Sequence, residues 1–378
     1  MRCSLPALAA GALGVAVVVA VGVGWPMWRA GLAAGMLAAQ PPRGEVEHPW
    51  RRCIPRLVHQ IFLGDEGTYN ASNAPRVWAR GTQQWRTIHR ATELNFTATY
   101  DLDLGLDGDE AEGDQGRPGS VGFKRWASKP KRGPKGPWQV VVWNGTTLSR
   151  LVKVHYPELA AEYHSYPRWI QRVDLGRFLV LHKYGGIYAD VDVAPRKSFK
   201  GILDDCPELV IARSDFMGGQ YLATDLIAAP PGHPFLDFIL HAAAAPVSTA
   251  SRGWLHGALV RIQYVLLEHI SFYLMPYVYT LGKLGPLFFT QAYTQFTRFE
   301  YSWPAGAIVI LGPGYYTAFN GTRPKLVFHT DGSSWHQWDA LLIRLLLPYQ
   351  VHTLATFACL VVSFAYVFAR PRRGRRDS

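Results

Sequence analysis

Two aspartates, Asp190 and Asp192, stand two positions apart at the end of the apolar segment Ile187–Val193. On a regular strand, alternate side chains share a face, so both carboxylates are expected to point the same way. Two neighbouring negative charges repel each other unless a positive group lies between them. A divalent cation with oxygen ligands meets that need, and a diphosphate can complete its coordination. Because a bare D-x-D also occurs at solvated strand ends, the flanking elements decide between these interpretations.

A helix and a pair of glycines precede the two aspartates. Tyr166–Tyr184 has apolar residues at helical spacing between charged ones, which predicts an amphipathic helix. Gly185 and Gly186 supply the backbone freedom with which such a helix ends. The helix places Asp174 and Arg177 one turn apart. That spacing suits a surface ion pair as well as a pocket wall.

Taken together, the helix, the glycine pair and the D-x-D strand resemble the core of the retaining D-x-D glycosyltransferases of the fungal mannosyltransferase family, and most of all its inositol phosphoceramide mannosyltransferases. The resemblance implies an α/β fold of the GT-A (nucleotide-diphospho-sugar transferase) type. It further implies that Asp174 and Arg177 line the nucleotide-sugar pocket and that Tyr188 lies beside the nucleotide. Asp190 is implied to contact ribose, sugar or metal, and Asp192 to bind the metal directly.

A second polar motif, Lys325–His336, reads as a strand that leads into a loop containing His329, Trp335 and His336. Histidine is a common ligand of transition metals, and Mn²⁺ accepts mixed oxygen and nitrogen sites. The motif resembles the C-terminal loop that closes over metal and diphosphate in this family. The resemblance implies that Trp335 binds the nucleotide sugar, and it leaves open which of the two histidines is the metal ligand.

Other apolar segments are predicted to be strands of the same sheet: Ile54–Phe62, Trp138–Trp143, Glu208–Arg213 and Leu226–Ala229. The first of them resembles the I-P-x-x-x-H-Q opening of the family. Pro231–Phe235 begins a helix and is close to a family signature, in which His233 is expected to cap the turn rather than to catalyse. Gly285-Pro286 resembles the family's turn near the sugar site.

The net charge of +11 is concentrated in two clusters, one between Arg117 and Lys135 and one in the last nine residues. Neither cluster is interleaved with aromatic residues on a nucleic-acid-binding fold, so nucleic acid is excluded as a partner. Anionic lipid surfaces and an anionic substrate remain compatible with this charge.

Apolar runs near both ends predict a chain that is anchored twice in a membrane. Leu5–Gly24 is uncharged over the length that spans a bilayer, although a cleaved signal peptide is an alternative. The arginine-rich tail marks the cytosolic side. The predicted order is an anchor over 1–28, a linker over 29–53, a lumenal catalytic domain over 54–345, a transmembrane helix over 349–369 and a basic cytosolic tail over 370–378.

Within the predicted lumenal domain, 101–135 has the composition of a disordered insertion, and 254–289 is apolar enough to face the membrane. Cys53 and Cys206 lie in this domain, where a disulfide and two free thiols are both open. Four glycosylation sequons agree with a lumenal location; they begin at Asn70, Asn95, Asn144 and Asn320.

The resemblance implies transfer of mannose from GDP-mannose, with Mn²⁺ or Mg²⁺ and with retention of anomeric configuration. The expected acceptor is inositol phosphoceramide in the Golgi membrane, because double anchorage and an aromatic, membrane-facing region suit a bilayer lipid. A protein-linked glycan is an alternative acceptor, and a catalytically silent membrane subunit is an alternative function. Whether a regulatory membrane subunit is a partner stays open, and no second carboxylate can be named as an enzymatic nucleophile.

Overall fold

The computed structural model describes residues 53–63, 76–94, 136–214, 221–244, 272–297, 308–312, 314–316, 323–329 and 340. The predicted membrane segments 1–28 and 349–369, the insertion 101–135 and the basic tail 370–378 lie outside these residues. In the described part of the chain, no helix is both long enough and apolar enough to cross a membrane.

Helices and strands alternate along most of the described chain. The helices are α1 (Arg76–His89), α2 (Gly145–His155), α3 (Ala160–Ser165), α4 (Trp169–Tyr184), α5 (Lys200–Leu203), α6 (Pro234–Ala244), α7 (Pro276–Lys283) and α8 (Pro286–Gln295). The strands are β1 (Leu57–Ile61), β2 (Thr92–Leu94), β3 (Gln139–Trp143), β4 (Gly186–Ala189), β5 (Val193–Pro195), β6 (Leu209–Arg213), β7 (Leu222–Ala229), β8 (Ile308–Leu311) and β9 (Val327–His329).

The described strands form a mixed sheet in the order β2-β3-β1-β4-β7-β6-β8 and a separate two-stranded sheet of β5 and β9. Neighbours pair in parallel except at β7, which runs antiparallel to both β4 and β6. The carboxyl ends of the parallel strands and the amino end of β7 therefore share one edge. Open α/β sheets bind ligands at such an edge. The predicted α/β class is confirmed.

Strand β1 lies in the middle of the sheet, and all five of its residues are buried. Leu57 and Ile61 pack into the core on the α4 side, whereas Val58 packs with Trp85 of α1 on the opposite side. Burial on both faces is typical of the strands of parallel sheets. The sheet therefore separates two hydrophobic cores.

Helix α4 ends at Tyr184 as predicted, but it is buried on nearly all sides instead of being amphipathic. Gly185 and Gly186 follow it with φ angles of 65° and 103°, in the left-handed region that favours glycine. A Cβ on Gly186 would come within 2.4 Å of the Leu57 carbonyl oxygen. Glycine at this position therefore lets β4 begin directly after α4 and lie close to β1.

His59 connects β1 to the end of α4 through two hydrogen bonds. The indole N–H of Trp143 donates to His59 Nδ1 at 3.0 Å, so the ring proton resides on Nε2, which donates to the Gly185 carbonyl at 2.9 Å. Burial lowers the pKa of His59 to about 4, although the bond to Gly185 opposes the shift. The neutral ring thus fixes the backbone just before β4.

A disulfide joins Cys53 to Cys206, which decides between the two alternatives left open by the sequence. The bond ties the segment before β1 to the segment before β6, across a sequence separation of 153 residues. By chain entropy alone, closing a loop of that length stabilises the fold by about 5 kcal/mol.

The described part of the predicted membrane-facing region, 272–289, packs largely into the protein. Residues 275–282 are buried, and Leu287, Phe288 and Phe289 of α8 are buried as well. Phe289 stacks on Phe178 of α4 at 5.7 Å between ring centroids. The apolar character of this part therefore builds the core, and a membrane-facing role for 254–271 stays a prediction outside the described residues.

The buried His59 predicts an acid-sensitive fold. Its folded-state pKa lies below the unfolded value of 6.5, so the stability present above pH 6.5 is lost as the pH falls toward 4. At pH 5 the loss is on the order of 2 kcal/mol. We expect His59→Gln to flatten the decline in unfolding free energy between pH 7 and 5, measured by urea denaturation. The exposed His164→Gln is the control; an unchanged slope in His59→Gln would contradict the assignment.

Candidate active site

Asp190 and Asp192 lie on a turn between two strands, and not on one continuous strand as the alternation predicted. Strand β4 ends at Ala189, and the Val193 N–H donates to the Asp190 carbonyl at 2.9 Å, closing a turn. After the turn the chain leaves the main sheet, because Val193 pairs with His329 of β9. Both carboxylates nevertheless line the same pocket.

A pocket of about 190 Å³ opens at the sheet edge where the parallel strands end. The lining comes from strand β7, from the residues that directly follow β4 and β6, from helices α4 and α7, from the start of α8 and from the end of β9. Its lining residues are Ile170, Asp174, Arg177, Asp190, Asp192, Ser214, Ala223, Thr224, Asp225, Thr280, Leu281, Gly285, Pro286 and His329. Five residues predicted from the sequence to form the site thus come together: Asp174, Arg177, Asp190, Asp192 and His329.

Arg177 is the charged centre of the pocket wall, and its side chain is only 2% exposed. Its guanidinium lies 2.8 Å from Asp174 Oδ1 and 3.6 Å from Asp190 Oδ1. The same group lies over the Tyr188 ring at 5.1 Å, and the Tyr188 hydroxyl donates to Asp190. Tyr188 therefore contacts Asp190 through this hydrogen bond and does not itself line the pocket.

The electrostatics of the pocket are set by burial and by crowding of negative charge. Burial, offset in part by Arg177, raises the pKa of Asp174 to about 7. Burial together with Asp190 and Asp225 raises the pKa of Asp192 to about 8, and burial likewise raises the pKa of Asp190. Burial alone would lower the pKa of Arg177, but the surrounding acids raise it overall, so this cation is permanent.

This donor set fits a divalent cation that is shared with a diphosphate. The pocket has four carboxylates, and Arg177 balances only part of their charge. Among the described residues, no three His, Cys, Asp or Glu side chains are grouped to hold a metal ion by themselves. Cations that act on nucleotides are commonly held by one or two carboxylates plus substrate phosphates. Asp190 and Asp192 are the carboxylates suited to hold such a cation.

The far wall of the pocket contains residues that the sequence did not single out. Asp225 is the fourth residue of β7, and the hydroxyl of the buried Tyr316 donates to its carboxylate. His329 Nε2 lies 3.6 Å from Asp225 Oδ2. A lone acid in an apolar strand gives little signal, and only the pairing of β7 with β4 brings it to Asp190.

The backbone of the D-x-D turn is held by β1 and α1. Gln60 Nε2 donates to the Asp190 carbonyl at 3.3 Å, and the Trp85 indole donates to the Val193 carbonyl at 2.8 Å. A Cβ on Gly81 of α1 would lie 3.1 Å from the Val191 carbonyl oxygen, so the helix packs closely against the turn. Strand β1, which carries the I-P-x-x-x-H-Q motif, and helix α1 therefore position the D-x-D turn without lining the pocket.

Other predicted residues lie away from the pocket or outside the described chain. Asn144 caps the N-terminus of α2, where its side chain accepts from the Thr147 N–H at 2.9 Å. His233 caps the start of α6 as expected, because its Nδ1 accepts from the Phe235 N–H at 3.2 Å. The residues outside the described part are Trp335, His336, Asn70, Asn95 and Asn320.

Comparison with known families matches residues 120–209 to the family described as "Glycosyltransferase sugar-binding region containing DXD motif". That span includes all of the pocket residues that α4 and the D-x-D turn contribute. The chain contains a DXD glycosyltransferase domain. The mixed, parallel-rich α/β sheet is consistent with the predicted GT-A fold.

Several curated proteins similar to this chain come from yeasts. Mannosyl phosphorylinositol ceramide synthase CSH1 of Saccharomyces cerevisiae is 25% identical over 83% of this chain and 60% of its own length. Inositol phosphoceramide mannosyltransferase 1 of Schizosaccharomyces pombe is 26% identical over 62% of this chain and 65% of its own length. The chain thus spans less than two thirds of the length of these relatives.

Among solved structures, the chain resembles the PaToxG glycosyltransferase, with 16% identity over 71% of this chain and 78% of the other. The TM-score of that match is 0.33, which is too low to establish the fold.

Removal of the buried cation tests its role in this glycosyltransferase domain. We expect Arg177→Met to lower the unfolding free energy by about 3 kcal/mol or more, because two buried carboxylates lose their partner. Adding Asp174→Asn should recover part of the loss, measured by urea denaturation. Arg172→Met on the same helix, which removes one bond to the Tyr166 carbonyl, is the control. Equal losses in Arg177→Met and Arg172→Met would refute the role.

Proposed function

We propose that this chain is a metal-dependent glycosyltransferase that moves mannose from GDP-mannose to inositol phosphoceramide, with retention of anomeric configuration. The observation that supports it most is the joining of Arg177, Asp174 and the Asp190–Asp192 turn in one pocket at the ligand-binding edge of the sheet. The family match and the names of the yeast relatives support the mannosyl donor and the lipid acceptor.

In this proposal separate residues of the chain bind the sugar of the donor and the metal ion on its diphosphate. Asp174, held at 2.8 Å by Arg177, faces the sugar hydroxyls, while Asp190 and Asp192 bind Mn²⁺ or Mg²⁺. A bound divalent cation stabilises the charge that develops on the diphosphate leaving group. The hydroxyls of Thr224 and Thr280 line the same pocket and are suited to the sugar or phosphate oxygens. Trp335 and His336, which lie outside the described residues, are also part of the proposed donor site.

The metal part of the proposal is tested by replacing one carboxylate. We expect Asp192→Asn to reduce mannose transfer at least 100-fold, on the order of a lost metal site, while the unfolding midpoint stays near that of the wild type. EDTA should abolish wild-type transfer, and added Mn²⁺ should restore it. Asp205→Asn, a change of an exposed acid outside the pocket, should keep full activity. Full activity of Asp192→Asn, or of the wild type in EDTA, would rule out the metal role.

The acceptor half of the proposal is supported by the surface beside the pocket. Ile170 lines the pocket, and the preceding Trp169 is 41% exposed. Nearby, Arg168 stacks on Phe272 at 4.8 Å, and Tyr273 is 72% exposed. Tryptophan and tyrosine favour the membrane interface, and arginine favours anionic headgroups. This aromatic rim, defined by Arg168, Trp169, Phe272 and Tyr273, suits an acceptor whose headgroup lies at a bilayer surface.

The aromatic rim gives a test of the acceptor. With inositol phosphoceramide in liposomes, we expect Trp169→Ala combined with Tyr273→Ala to raise the apparent KM for lipid at least fivefold, about 1 kcal/mol of lost interfacial contact. The KM for GDP-mannose should change less than twofold. Val154→Ala combined with Ile310→Ala, two exposed apolar side chains outside the pocket lining, is the control.

Two outcomes would contradict the acceptor proposal. One is mannosylation of a soluble or protein-linked glycan by a protein that ignores the lipid. The other is an equal rise in lipid KM for the rim variant and its control. Neither outcome affects the proposed donor and metal residues, because the loss of transfer in Asp192→Asn and in EDTA can be measured with whichever acceptor the protein uses.

The proposed location is the Golgi membrane with the catalytic domain in the lumen. The Cys53–Cys206 disulfide supports an oxidising compartment, since such bonds persist in secretory compartments. The apolar terminal segments and the four sequons support the same orientation at the level of sequence. A regulatory membrane subunit is a proposed partner of this arrangement.

A further inference from the structure

Asp225 occupies the pocket wall opposite the D-x-D turn, and neither the sequence motifs nor the resemblance gives it a role. Its backbone is tied to the turn, because the Asp190 N–H donates to the Asp225 carbonyl at 2.9 Å. The carboxylate lines the pocket together with Asp190, Asp192 and His329. The reversed direction of β7 places this residue at the active edge of the sheet.

The Asp225 carboxylate is part of a cluster of three side chains from distant segments. The buried hydroxyl of Tyr316 lies 2.5 Å from each of its two oxygens. His329 Nε2 lies 3.6 Å from Asp225 Oδ2, and the Tyr316 and His329 rings meet edge to face at 5.0 Å between centroids. The imidazole is therefore bounded on one side by a carboxylate and on another by an aromatic ring.

The chemistry of imidazole gives this cluster a specific consequence. A neutral histidine has one N–H and one nitrogen with a lone pair, and a carboxylate next to Nε2 favours the proton there. Nδ1 then becomes the electron-pair donor of the ring. Histidines that bind metals commonly donate their other ring N–H to a carboxylate, which fixes the orientation of the ring and strengthens it as a ligand.

We propose that Asp225 is a positioning residue which, braced by Tyr316, orients His329 so that Nδ1 is offered to the divalent cation that Asp190, Asp192 and the phosphates of a bound nucleotide would hold. The inference rests on the proposed function and deepens it, since it selects one ring nitrogen of His329 and adds two residues to the site. Asp225 acts here through His329 and not as a ligand of its own. Its role is therefore visible in metal affinity even without any sugar transfer.

The test is a double-mutant cycle on Mn²⁺ binding by the full chain in detergent, with free Mn²⁺ measured by electron paramagnetic resonance in the presence of GDP. We expect Asp225→Ala to weaken Mn²⁺ binding about tenfold or more, as losses of outer-shell partners do. In a His329→Ala background the same change should weaken binding less than twofold, because the residue through which Asp225 acts is absent. Tyr316→Phe should weaken binding in the same direction.

Two further variants separate positioning from folding. Asp237→Ala removes a carboxylate that lies near His182 and His241 outside the pocket lining, and it should leave Mn²⁺ affinity unchanged. Asp225→Asn keeps the shape of the side chain, so it serves the same cycle if Asp225→Ala does not fold. Its amide cannot supply the negative charge beside Nε2, and a loss of at least threefold that disappears with His329→Ala is expected.

The outcomes that overturn the inference differ from those that overturn the proposed function. Equal weakening of Mn²⁺ binding by the Asp225 variants with and without His329 would show that Asp225 does not act through the histidine. Unchanged affinity in these variants, or no Mn²⁺ binding by the wild type, would also refute it. A wild type that binds Mn²⁺ through this coupling but transfers no mannose would instead refute the proposed reaction.

Discussion

The structure of this site depends on one buried charge, the guanidinium of Arg177. Asp174 and Asp190 approach each other inside the protein only because that cation lies beside both of them. Without it, burial would favour protonation of both acids, and a neutral pair would have little attraction for a cation or for sugar hydroxyls. The Arg177 cation therefore stabilises the ionised form of the two buried carboxylates at the pocket. Its net contribution to stability is small, since buried pairs gain little over apolar packing.

The position of that charge is determined by close packing around the end of α4. Gly186 lets β4 begin beside the Leu57 carbonyl, and His59 fixes the carbonyl of Gly185 from β1. Strand β4 has only four residues between this junction and Asp190, so a shift at the glycines would move the carboxylates directly. Strand β1 contributes no residue to the pocket lining, yet its contacts with Gly185 and Gly186 determine where the pocket carboxylates lie.

The local features of this fold could be predicted from the sequence, and the features that depend on distant segments could not. The end of α4, its glycines and the strand that follows depend on neighbouring residues, and the prediction of each was close. The alternation around Asp190 suggested a continuous strand, because nothing local shows that Val193 pairs with β9. The inward packing of α7 and the grouping of Asp225 with Tyr316 likewise arise from contacts between segments far apart in the chain. Propensity and periodicity cannot supply such information.

The covalent link between Cys53 and Cys206 has a topological consequence. The bond encloses β1 to β5 and the basic and acidic stretch of 101–135 in a single macrocycle. A protease that cuts the backbone anywhere inside this ring opens it without releasing a fragment. Such a nicked molecule would keep the mass of an intact chain until a reductant separates its two pieces. The strands that form the pocket on either side of the cut would meanwhile stay at the high effective concentration of one molecule. A single proteolytic cut within the ring therefore does not by itself separate the parts of the fold.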